Sequence, residues 1–184
     1  MITSGLLLAA GAGRRMGMPK ALVRDDAGTS WLTRSVEVLR DGGCGEVVVV
    51  LGAGADEAEP LLAGLTGVTT VRSEDWSSGM GASLATGLTA LGEADAALVH
   101  LVDLPDVTAR VVARVLAAGD GAPALARASY DGRPGHPVLI GRGHWAGVIE
   151  SAAGDQGART YLKAHDVTLV ECGDLATGAD VDRR

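Results

Sequence analysis

The sequence predicts an α/β protein built as a three-layer α/β/α sandwich, with a mostly parallel, Rossmann-like sheet and a small antiparallel hairpin. Short aliphatic runs alternate with segments of helical spacing, which is typical of parallel sheets. The first run, residues 6–10, ends in a glycine-rich loop, a common ligand-binding position in such sheets. Glycines and prolines at 130–137 precede another apolar run and predict the hairpin, with an exposed loop and His136 at its tip.

After the glycine-rich loop, the first half of the chain alternates between helices and strands. Ser30 is placed to cap a helix whose apolar residues recur at helical spacing until the glycine pair at 42–43. The Val-Val-Val-Val-Leu run at 47–51 predicts a strand covered on both faces. A weaker helix is predicted at 56–63, where a proline argues against regularity, and a short strand at 68–71.

The second half continues the alternation. Apolar spacing predicts helices at 84–91 and 108–117, with a buried strand at 96–102 between them. Further strands are predicted at 124–128 and 167–171. No internal repeat or linker interrupts the pattern, so the 184-residue chain is interpreted as a single domain.

Composition narrows the possible partners. A hydrophobic content of 47% predicts a folded domain, and a net charge of -7 argues against a nucleic-acid or anionic membrane surface. Cys44 and Cys172 have no metal-ligand or redox-motif spacing, which favours buried, reduced thiols. The first apolar run is too short to span a bilayer and no basic leader precedes it, so a soluble cytoplasmic protein is expected.

The loop after the first predicted strand combines glycines with cations. Its glycines allow backbone N–H groups to converge on one anion, and its basic residues add full positive charges. The alternative is a surface turn with solvated side chains, but three cations directly after a strand end favour a phosphate site. The residues predicted to bind a nucleotide here are Leu8, Ala9, Ala10, Gly11, Gly13, Arg14, Arg15 and Lys20.

Two familiar phosphate loops are excluded by the residues around Lys20. A P-loop requires a hydroxyl residue after its lysine, whereas Ala21 follows Lys20. The dinucleotide fingerprint requires a helix directly after its glycines, and Pro19 would break that helix. An extended loop that wraps a polyphosphate and ends in a lysine is the remaining prediction.

Two other segments carry candidate site residues. Ser78, Gly79 and Ser83 lie where a helix begins, which suits either a nucleotide contact or an ordinary capped helix. Asp103 follows a predicted central strand, where open α/β sheets bind ligands. Asp106 is interpreted instead as a helix cap ahead of the next helix, and His100 as a core histidine without chemistry.

Several motifs together resemble one family. The segment L-A-A-G-x-G-R-R-M-G-x-P-K is similar to the signature of MobA-like NTP transferases, and especially of molybdenum cofactor (molybdopterin) cytidylyltransferases. The resemblance continues in W-x-x-G-M-x-x-S-L, in an aspartate-x-proline after the fourth strand, in G-R-x-G-H-P, in G-D-x-G-A-R and in the final D-V-D, so it covers nearly the whole chain. It implies a nucleotidyltransferase fold and activity.

The resemblance also implies roles for individual residues. Lys20, Arg14 and Asp103 become catalytic candidates, and Asp103 and Asp182 become ligands of Mg²⁺. The implied substrates are an NTP, with CTP preferred over GTP, and a molybdopterin-type phosphorylated acceptor, with a molybdoenzyme as a possible partner. The residues implied to bind the acceptor are Arg133, His136, Asp155 and Arg159. A turn histidine without a role stays an equal alternative for His136.

The sequence departs from the family at three places and leaves other functions open. Ser73 stands where asparagine is frequent, Leu104 replaces glutamine or methionine, and Arg183-Arg184 follow the final aspartate in place of a closing helix. Other phosphorylated acceptors, including sugar phosphates and methylerythritol phosphate, stay possible. So do a nicotinamide-dependent oxidoreductase, against which Pro19 argues, and a catalytically weak nucleotide-binding accessory protein of molybdoenzymes.

Overall fold

The computed structural model describes residues 2–182, which contain one sheet of seven strands. The strands are β1 (Thr3–Ala9), β2 (Val47–Leu51), β3 (Val68–Arg72), β4 (Ala96–Leu101), β5 (Leu125–Tyr130), β6 (Arg133–Gly141) and β7 (Thr168–Glu171). Their order across the sheet is β3-β2-β1-β4-β6-β5-β7. Among these strands, β6 alone runs antiparallel to its neighbours, so the predicted hairpin of β5 and β6 is part of the main sheet.

Helices cover both faces of the sheet, as a three-layer sandwich requires. They are α1 (Trp31–Asp41), α2 (Ala55–Ala58), α3 (Met80–Ala90), α4 (Ala109–Leu116), α5 (Arg142–Ser151) and α6 (Arg159–Lys163). The core on one face includes residues of α1, α2 and α4, and the core on the other includes residues of α3, α5 and α6. None of the described helices is long and apolar enough to cross a bilayer.

The central strands are apolar on both sides because each side faces a layer of helices. Along β1, Leu7 packs into one core and Leu6 and Leu8 into the other. The same alternation divides β2, where Val49 and Val50 are both fully buried but lie in different cores. Burial on both faces explains why these strands read as continuous apolar runs.

The order of the strands creates a crevice at one edge of the sheet. From β1 the chain moves outward to β2 and β3, and it then returns to place β4 on the opposite side of β1. The loops after β1 and β4 therefore diverge at the carboxyl ends of two adjacent parallel strands. Such a switch point is where open α/β sheets bind ligands.

Local signals explain most of the elements. The Ser30 hydroxyl accepts a hydrogen bond from the Thr33 N–H at the start of α1, as predicted. Near Pro60 the predicted second helix is short, because α2 ends at Ala58 and a 3₁₀ turn follows it. The helix α5 was not predicted, since it begins at a glycine without a side-chain cap and buries only Trp145 and Val148.

Two predictions about the loops were wrong. His136 does not stand at a hairpin tip, because the turn consists of Asp131 and Gly132 and His136 lies half-buried within β6. Asp106 does not cap α4, because its Oδ2 atom accepts hydrogen bonds from the N–H and hydroxyl of Thr177, at 2.6 and 2.5 Å. His100 is 1% exposed within β4, and both cysteines are buried free thiols, as expected.

Candidate active site

The glycine-rich loop leaves β1 at the crevice and forms one wall of a cavity of about 410 Å³. Gly13 begins a tight turn in which its carbonyl accepts the N–H groups of Met16 and Gly17, both at 2.9 Å. Gly13 has a φ of +58°, and a Cβ there would overlap the carbonyl oxygen of Met18. Only glycine fits this position, which explains how the loop turns back and ends with Lys20 facing the crevice.

Lys20 is the centre of the site. Its Nζ lies 2.5 Å from Oδ2 of Asp103, in the loop after β4, and 2.5 Å from Oδ1 of Asp182. The Lys20 and Asp103 side chains are only 18% and 13% exposed, so water screens their interaction poorly. Three side chains from distant parts of the chain thus form one charged cluster.

This cluster shifts the pKa values of its members. Partial burial lowers the pKa of Lys20, but its hydrogen bonds with Asp103 and Asp182 outweigh that effect and raise the pKa above its ordinary value. The Lys20 hydrogen bond and charge lower the pKa of Asp182. Lys20 is therefore a full cation at neutral pH, suited to stabilising charge on a phosphoryl group.

The acidic side of the cluster can hold a divalent cation. Asp103, Asp180 and Asp182 each offer a carboxylate oxygen, and these oxygens lie within 4.8 Å of one another. Oδ1 of Asp103 is buried and has no hydrogen-bond partner among the described residues, so it retains an unused acceptor. Carboxylate oxygens are the ligands that Mg²⁺ prefers, and the donor set therefore fits this ion.

The C-terminal segment brings two of these carboxylates to the site. The Val181 N–H donates to the Asp103 carbonyl at 3.0 Å, which fixes the segment beside the loop after β4. Further back, Thr177 is held by Asp106. Asp180 and Asp182 alternate with Val181 along this segment, so both carboxylates belong to one edge of the crevice.

A second cavity of about 610 Å³ adjoins the first. Lys20 and Asp103 line both cavities, so the charged cluster stands between them. Two arginines, Arg127 on β5 and Arg159 at the start of α6, line the second cavity only. The arrangement that results is two adjoining cavities with the charged cluster at their junction.

His136 lines the second cavity in its neutral form. Burial, together with the positive charges of Arg127 and Arg159, lowers the pKa of His136 to about 4. The carbonyl of His136 accepts the hydroxyl of Tyr130 at 2.6 Å, which fixes this part of β6. At neutral pH the imidazole offers one donor and one acceptor and no charge. The positive charges that line the second cavity are therefore those of Lys20, Arg127 and Arg159.

Comparison with known proteins identifies the family. The model of the MobA-like NTP transferase domain matches residues 5–169, most of the chain. The protein belongs to the MobA-like NTP transferase family. A curated relative, nicotine blue oxidoreductase from Paenarthrobacter nicotinovorans, is 40% identical over 97% of this chain and 91% of its own length.

Solved structures of similar fold cover nearly all of this chain. A nucleotidyl transferase from Methanothermobacter thermautotroptrophicus superposes with a TM-score of 0.84, covering 99% of this chain and 92% of the other at 22% identity. The Rv0371c protein from Mycobacterium tuberculosis superposes with a TM-score of 0.80, covering 100% and 94% at 26% identity. The similarity in fold therefore extends over nearly all of this chain.

Most residues predicted from the MobA-like motifs lie in the two cavities. The first cavity is lined by Leu8, Ala9, Ala10, Gly11, Gly13, Arg14, Lys20, Gly79, Ser83 and Asp103. The second is lined by Asp103, His136, Asp155, Arg159 and Asp182. Asp155 lines both, at the junction.

Three predicted residues lie elsewhere. Arg15 is exposed and pairs with Asp182 at 3.2 Å, at the edge of the charged cluster. Ser78 is exposed, and its neighbour Ser77 lines the first cavity in its place. Arg133 is exposed at the start of β6 and lines neither cavity. The turn of the hairpin carries Arg133 away from the site.

Other lining residues were missed by the sequence reasoning. Trp76 lines the first cavity, and a lone tryptophan in a polar loop is a signal for it. Arg127 is the one charged residue of a strand predicted at 124–128, an unusual position that could have identified it. Asp180 could have been found by period-two alternation with Asp182 in an extended segment.

Proposed function

We propose that this protein is a Mg²⁺-dependent nucleotidyltransferase that moves a nucleoside monophosphate from an NTP to the phosphate of a second substrate and releases pyrophosphate. The preferred donor is CTP, and the preferred acceptor is molybdopterin or the molybdenum cofactor. The observation that carries the proposal is the position of Lys20 and Asp103 between two adjoining cavities. One cavity has the glycine-rich loop of a polyphosphate site, and the other has the arginines of an anion site.

The proposed reaction is an in-line displacement. A phosphate oxygen of the acceptor attacks the α-phosphorus of the NTP, a new P–O bond forms there, and the bond to the β-phosphate oxygen breaks. Pyrophosphate leaves with the electron pair of that bond. Such a reaction depends on alignment and charge stabilisation more than on covalent chemistry by the protein.

The glycine-rich loop and the charged cluster have different roles in the proposed reaction. The backbone N–H groups from Gly11 to Gly13, with Arg14, bind the β- and γ-phosphates and stabilise the departing pyrophosphate. Lys20 donates hydrogen bonds to the α-phosphoryl oxygens as negative charge develops there. Asp103, Asp180 and Asp182 would hold Mg²⁺, which would neutralise phosphate charge when bound.

The choice of CTP rests on the loop sequence. In the family, L-A-A-G followed by P-K resembles the cytidylyl branch, whereas L-A-G-G followed by D-K marks the guanylyl branch. This chain has Leu8 to Gly11 and Pro19-Lys20 in the cytidylyl form. Incubation of the protein with Mg²⁺, molybdopterin and equal concentrations of CTP and GTP tests the choice by the pyrophosphate released from each. Faster release from GTP would reassign the donor.

An oxidoreductase is the second candidate, because the 40% identical relative is named nicotine blue oxidoreductase. In that case the two cavities would hold a nicotinamide dinucleotide and a dye-like ring compound. The glycine-rich loop argues against a dinucleotide-binding site, because such a site requires a helix directly after its glycines. Here the chain continues from the tight turn at Gly13 into Pro19 and a 3₁₀ turn. Oxidoreductase activity can be tested directly by following the oxidation of NADH or NADPH in the presence of nicotine blue with a spectrophotometer.

The two candidates are separated by one pair of assays on the same preparation. The proposed function expects pyrophosphate release that needs both an acceptor and a divalent cation, with no nicotinamide oxidation. In these assays Lys20→Met should release pyrophosphate much more slowly than the wild type. Lys163→Met is its matched control, because Lys20 and Lys163 are the only lysines in the chain and Lys163 lies on α6. Nicotinamide oxidation without pyrophosphate release would replace the proposal by the second candidate.

A further inference from the structure

The carboxylate of Asp182 holds two cations of the glycine-rich loop at once. Its Oδ1 atom lies 2.5 Å from Nζ of Lys20, and its Oδ2 atom lies 3.2 Å from Nη1 of Arg15. Within residues 2–182, no other carboxylate forms ion pairs with two different cations. Asp182 thus makes, inside the chain, the kind of contacts that a phosphate group makes with a lysine and an arginine.

These contacts leave the two cations little capacity for a substrate. An ammonium group has three N–H donors. The Lys20 ammonium donates to Asp103 and to Asp182, both at 2.5 Å, so one donor is left for a phosphoryl oxygen. Arg15 follows Arg14 in the loop, but its guanidinium pairs with Asp182 and does not line the first cavity. A triphosphate therefore has to compete with Asp182 for both cations.

Asp182 is the more weakly held of the two carboxylates at Lys20. Its side chain is 40% exposed, against 13% for Asp103, so water screens its ion pair more strongly. The backbone of residues 178–182 forms neither helix nor strand, and the Val181 N–H bond to the Asp103 carbonyl joins it to the loop after β4. A multiply charged ligand can therefore displace the Asp182 carboxylate without breaking the contact between Lys20 and Asp103.

We propose that Asp182 is an internal competitor of the triphosphate: it occupies Lys20 and Arg15 in the nucleotide-free protein and releases both cations when the triphosphate of an NTP binds. The inference rests on the proposed function, because it concerns regulation of the same site. It adds a role for Asp182 besides metal ligation, and it gives Arg15 a phosphate partner after Asp182 has left. Loss of the Asp182 charge should therefore strengthen the binding of a triphosphate when no metal is present.

Isothermal titration calorimetry with sodium tripolyphosphate tests the proposal in buffer freed of metal by a chelating resin. This probe carries the linked phosphates of an NTP without its base or ribose. Asp182→Asn keeps the size of the side chain and removes its charge. This variant should bind the probe about three- to tenfold more tightly than the wild type, because two partly exposed ion pairs no longer compete. Unchanged or weaker binding by Asp182→Asn would overturn the proposal.

Asp180→Asn is the matched control for the change in charge. It removes one negative charge from the same segment, and Asp180 forms no ion pair within residues 2–182. The control should therefore strengthen probe binding less than Asp182→Asn does. An equal gain in the two variants would show that overall charge determines the affinity, and it would overturn the proposal.

A double-mutant cycle tests whether Arg15 is shared between Asp182 and the triphosphate. Arg15→Met should weaken probe binding about threefold or more in the Asp182→Asn background, and less in the wild type. The wild-type effect is smaller because the probe gains Arg15 there only by breaking its ion pair with Asp182. Arg133→Met, at an exposed position outside both cavities, is the control and should change nothing. Equal losses in both backgrounds would overturn the proposal.

The outcomes separate this proposal from the proposed function. If Asp182→Asn gains affinity for tripolyphosphate but neither CTP nor GTP releases pyrophosphate with Mg²⁺ and molybdopterin, the proposed function fails and the competition by Asp182 stands. If pyrophosphate is released but Asp182→Asn gains no affinity, the proposed function stands and this proposal fails. Absence of tripolyphosphate binding in the wild type and in every variant would also overturn this proposal, because Lys20 and Arg15 would then not accept a triphosphate.

Discussion

Lys20 and Asp103 are 83 positions apart in the sequence, yet Nζ of Lys20 lies 2.5 Å from Oδ2 of Asp103. The contact joins the loop after β1 to the loop after β4, the two strands on either side of the crevice. The proposed chemistry required these residues to share one ligand, and their contact at the junction of two cavities satisfies that requirement.

Replacement of Lys20 by methionine should have opposite effects on turnover and on metal binding. Turnover is expected to fall about 10²-fold or more, because a donor to the transferring phosphoryl group is lost. Affinity for Mn²⁺ in the absence of nucleotide should rise, because Lys20 occupies the same carboxylate oxygens of Asp103 and Asp182. Initial-rate assays and electron paramagnetic resonance of free Mn²⁺ measure the two effects.

Lys163→Met should match the wild-type protein in both measurements. Near-normal turnover of Lys20→Met would remove Lys20 from the catalytic residues. An unchanged or lower Mn²⁺ affinity in Lys20→Met would show that the lysine and the metal do not compete for these carboxylates.

Substitutions at two glycines of the glycine-rich loop should change different properties: Gly13→Ala should lower stability, and Gly11→Ala should weaken nucleotide binding. Gly13→Ala is expected to lower the free energy of unfolding by about 1 to 3 kcal/mol, because its φ of +58° and the Met18 carbonyl exclude a side chain. A Cβ at Gly11 would meet no protein atom within 4 Å. Gly11→Ala should therefore keep the melting temperature and weaken NTP binding, because the added methyl group enters the cavity.

Thermal unfolding and nucleotide titration check both variants. A Gly11→Ala protein that binds NTP as well as the wild type would place the phosphates away from the loop backbone. A Gly13→Ala protein of unchanged stability would show that the turn between Gly13 and Met18 adjusts without cost.

The contact between Asp106 and Thr177 should determine whether the C-terminal carboxylates reach the site. Asp106→Ala removes acceptors for both the N–H and the hydroxyl of Thr177, contacts worth about 1.5 to 3 kcal/mol each when the acceptor is charged. We expect weaker Mn²⁺ binding and slower turnover, because Asp180 and Asp182 are then positioned less firmly. Thr177→Val removes one of the two contacts and should have a smaller effect.

The decisive result is that Asp106→Ala weakens Mn²⁺ binding and turnover more than Thr177→Val does. Neither Asp106 nor Thr177 lines either cavity, so these effects would have to act through the position of the C-terminal segment. Unchanged Mn²⁺ affinity in Asp106→Ala, with the fold confirmed by circular dichroism, would show that the segment is held by other contacts. The Val181 N–H bond to the Asp103 carbonyl would then be sufficient.

Glu171 should make the hairpin sensitive to acid. Its carboxylate accepts the Ser129 hydroxyl and the N–H groups of Gly132, Gly173 and Asp131, and these bonds lower its pKa from 4.5 to about 2. A carboxyl group with a lowered folded-state pKa stabilises the protein above pH 4.5 and loses that contribution as the pH falls towards 2. Glu171→Gln should therefore lower the melting temperature at pH 7.

The difference between Glu171→Gln and the wild type should shrink as the pH falls through the window between 4.5 and about 2. Melting temperatures measured over that range by circular dichroism test the prediction. Glu74→Gln, at an exposed position in the loop after β3, is the control. A difference that is constant with pH would mean that the carboxylate charge contributes nothing to the hairpin.

The sequence by itself determined the layers of the fold and the position of the glycine-rich loop after β1. Continuous apolar runs such as 47–51 predict doubly covered strands because both of their faces meet helices. The loop after β1 could be recognised because its glycines and cations all lie within residues 11–20. These features could be predicted because the residues that form each of them are close together in the sequence.

The tertiary structure decided which residues outside the loop share the site. His136 and Arg133 belong to one motif, yet a tight turn at Asp131-Gly132 sends Arg133 to the surface and leaves His136 in the cavity. Arg127, Asp180 and the Asp106–Thr177 contact come from segments that the strand order brings together. Contacts between distant segments depend on how strands pair and where loops return, and apolar periodicity does not encode either.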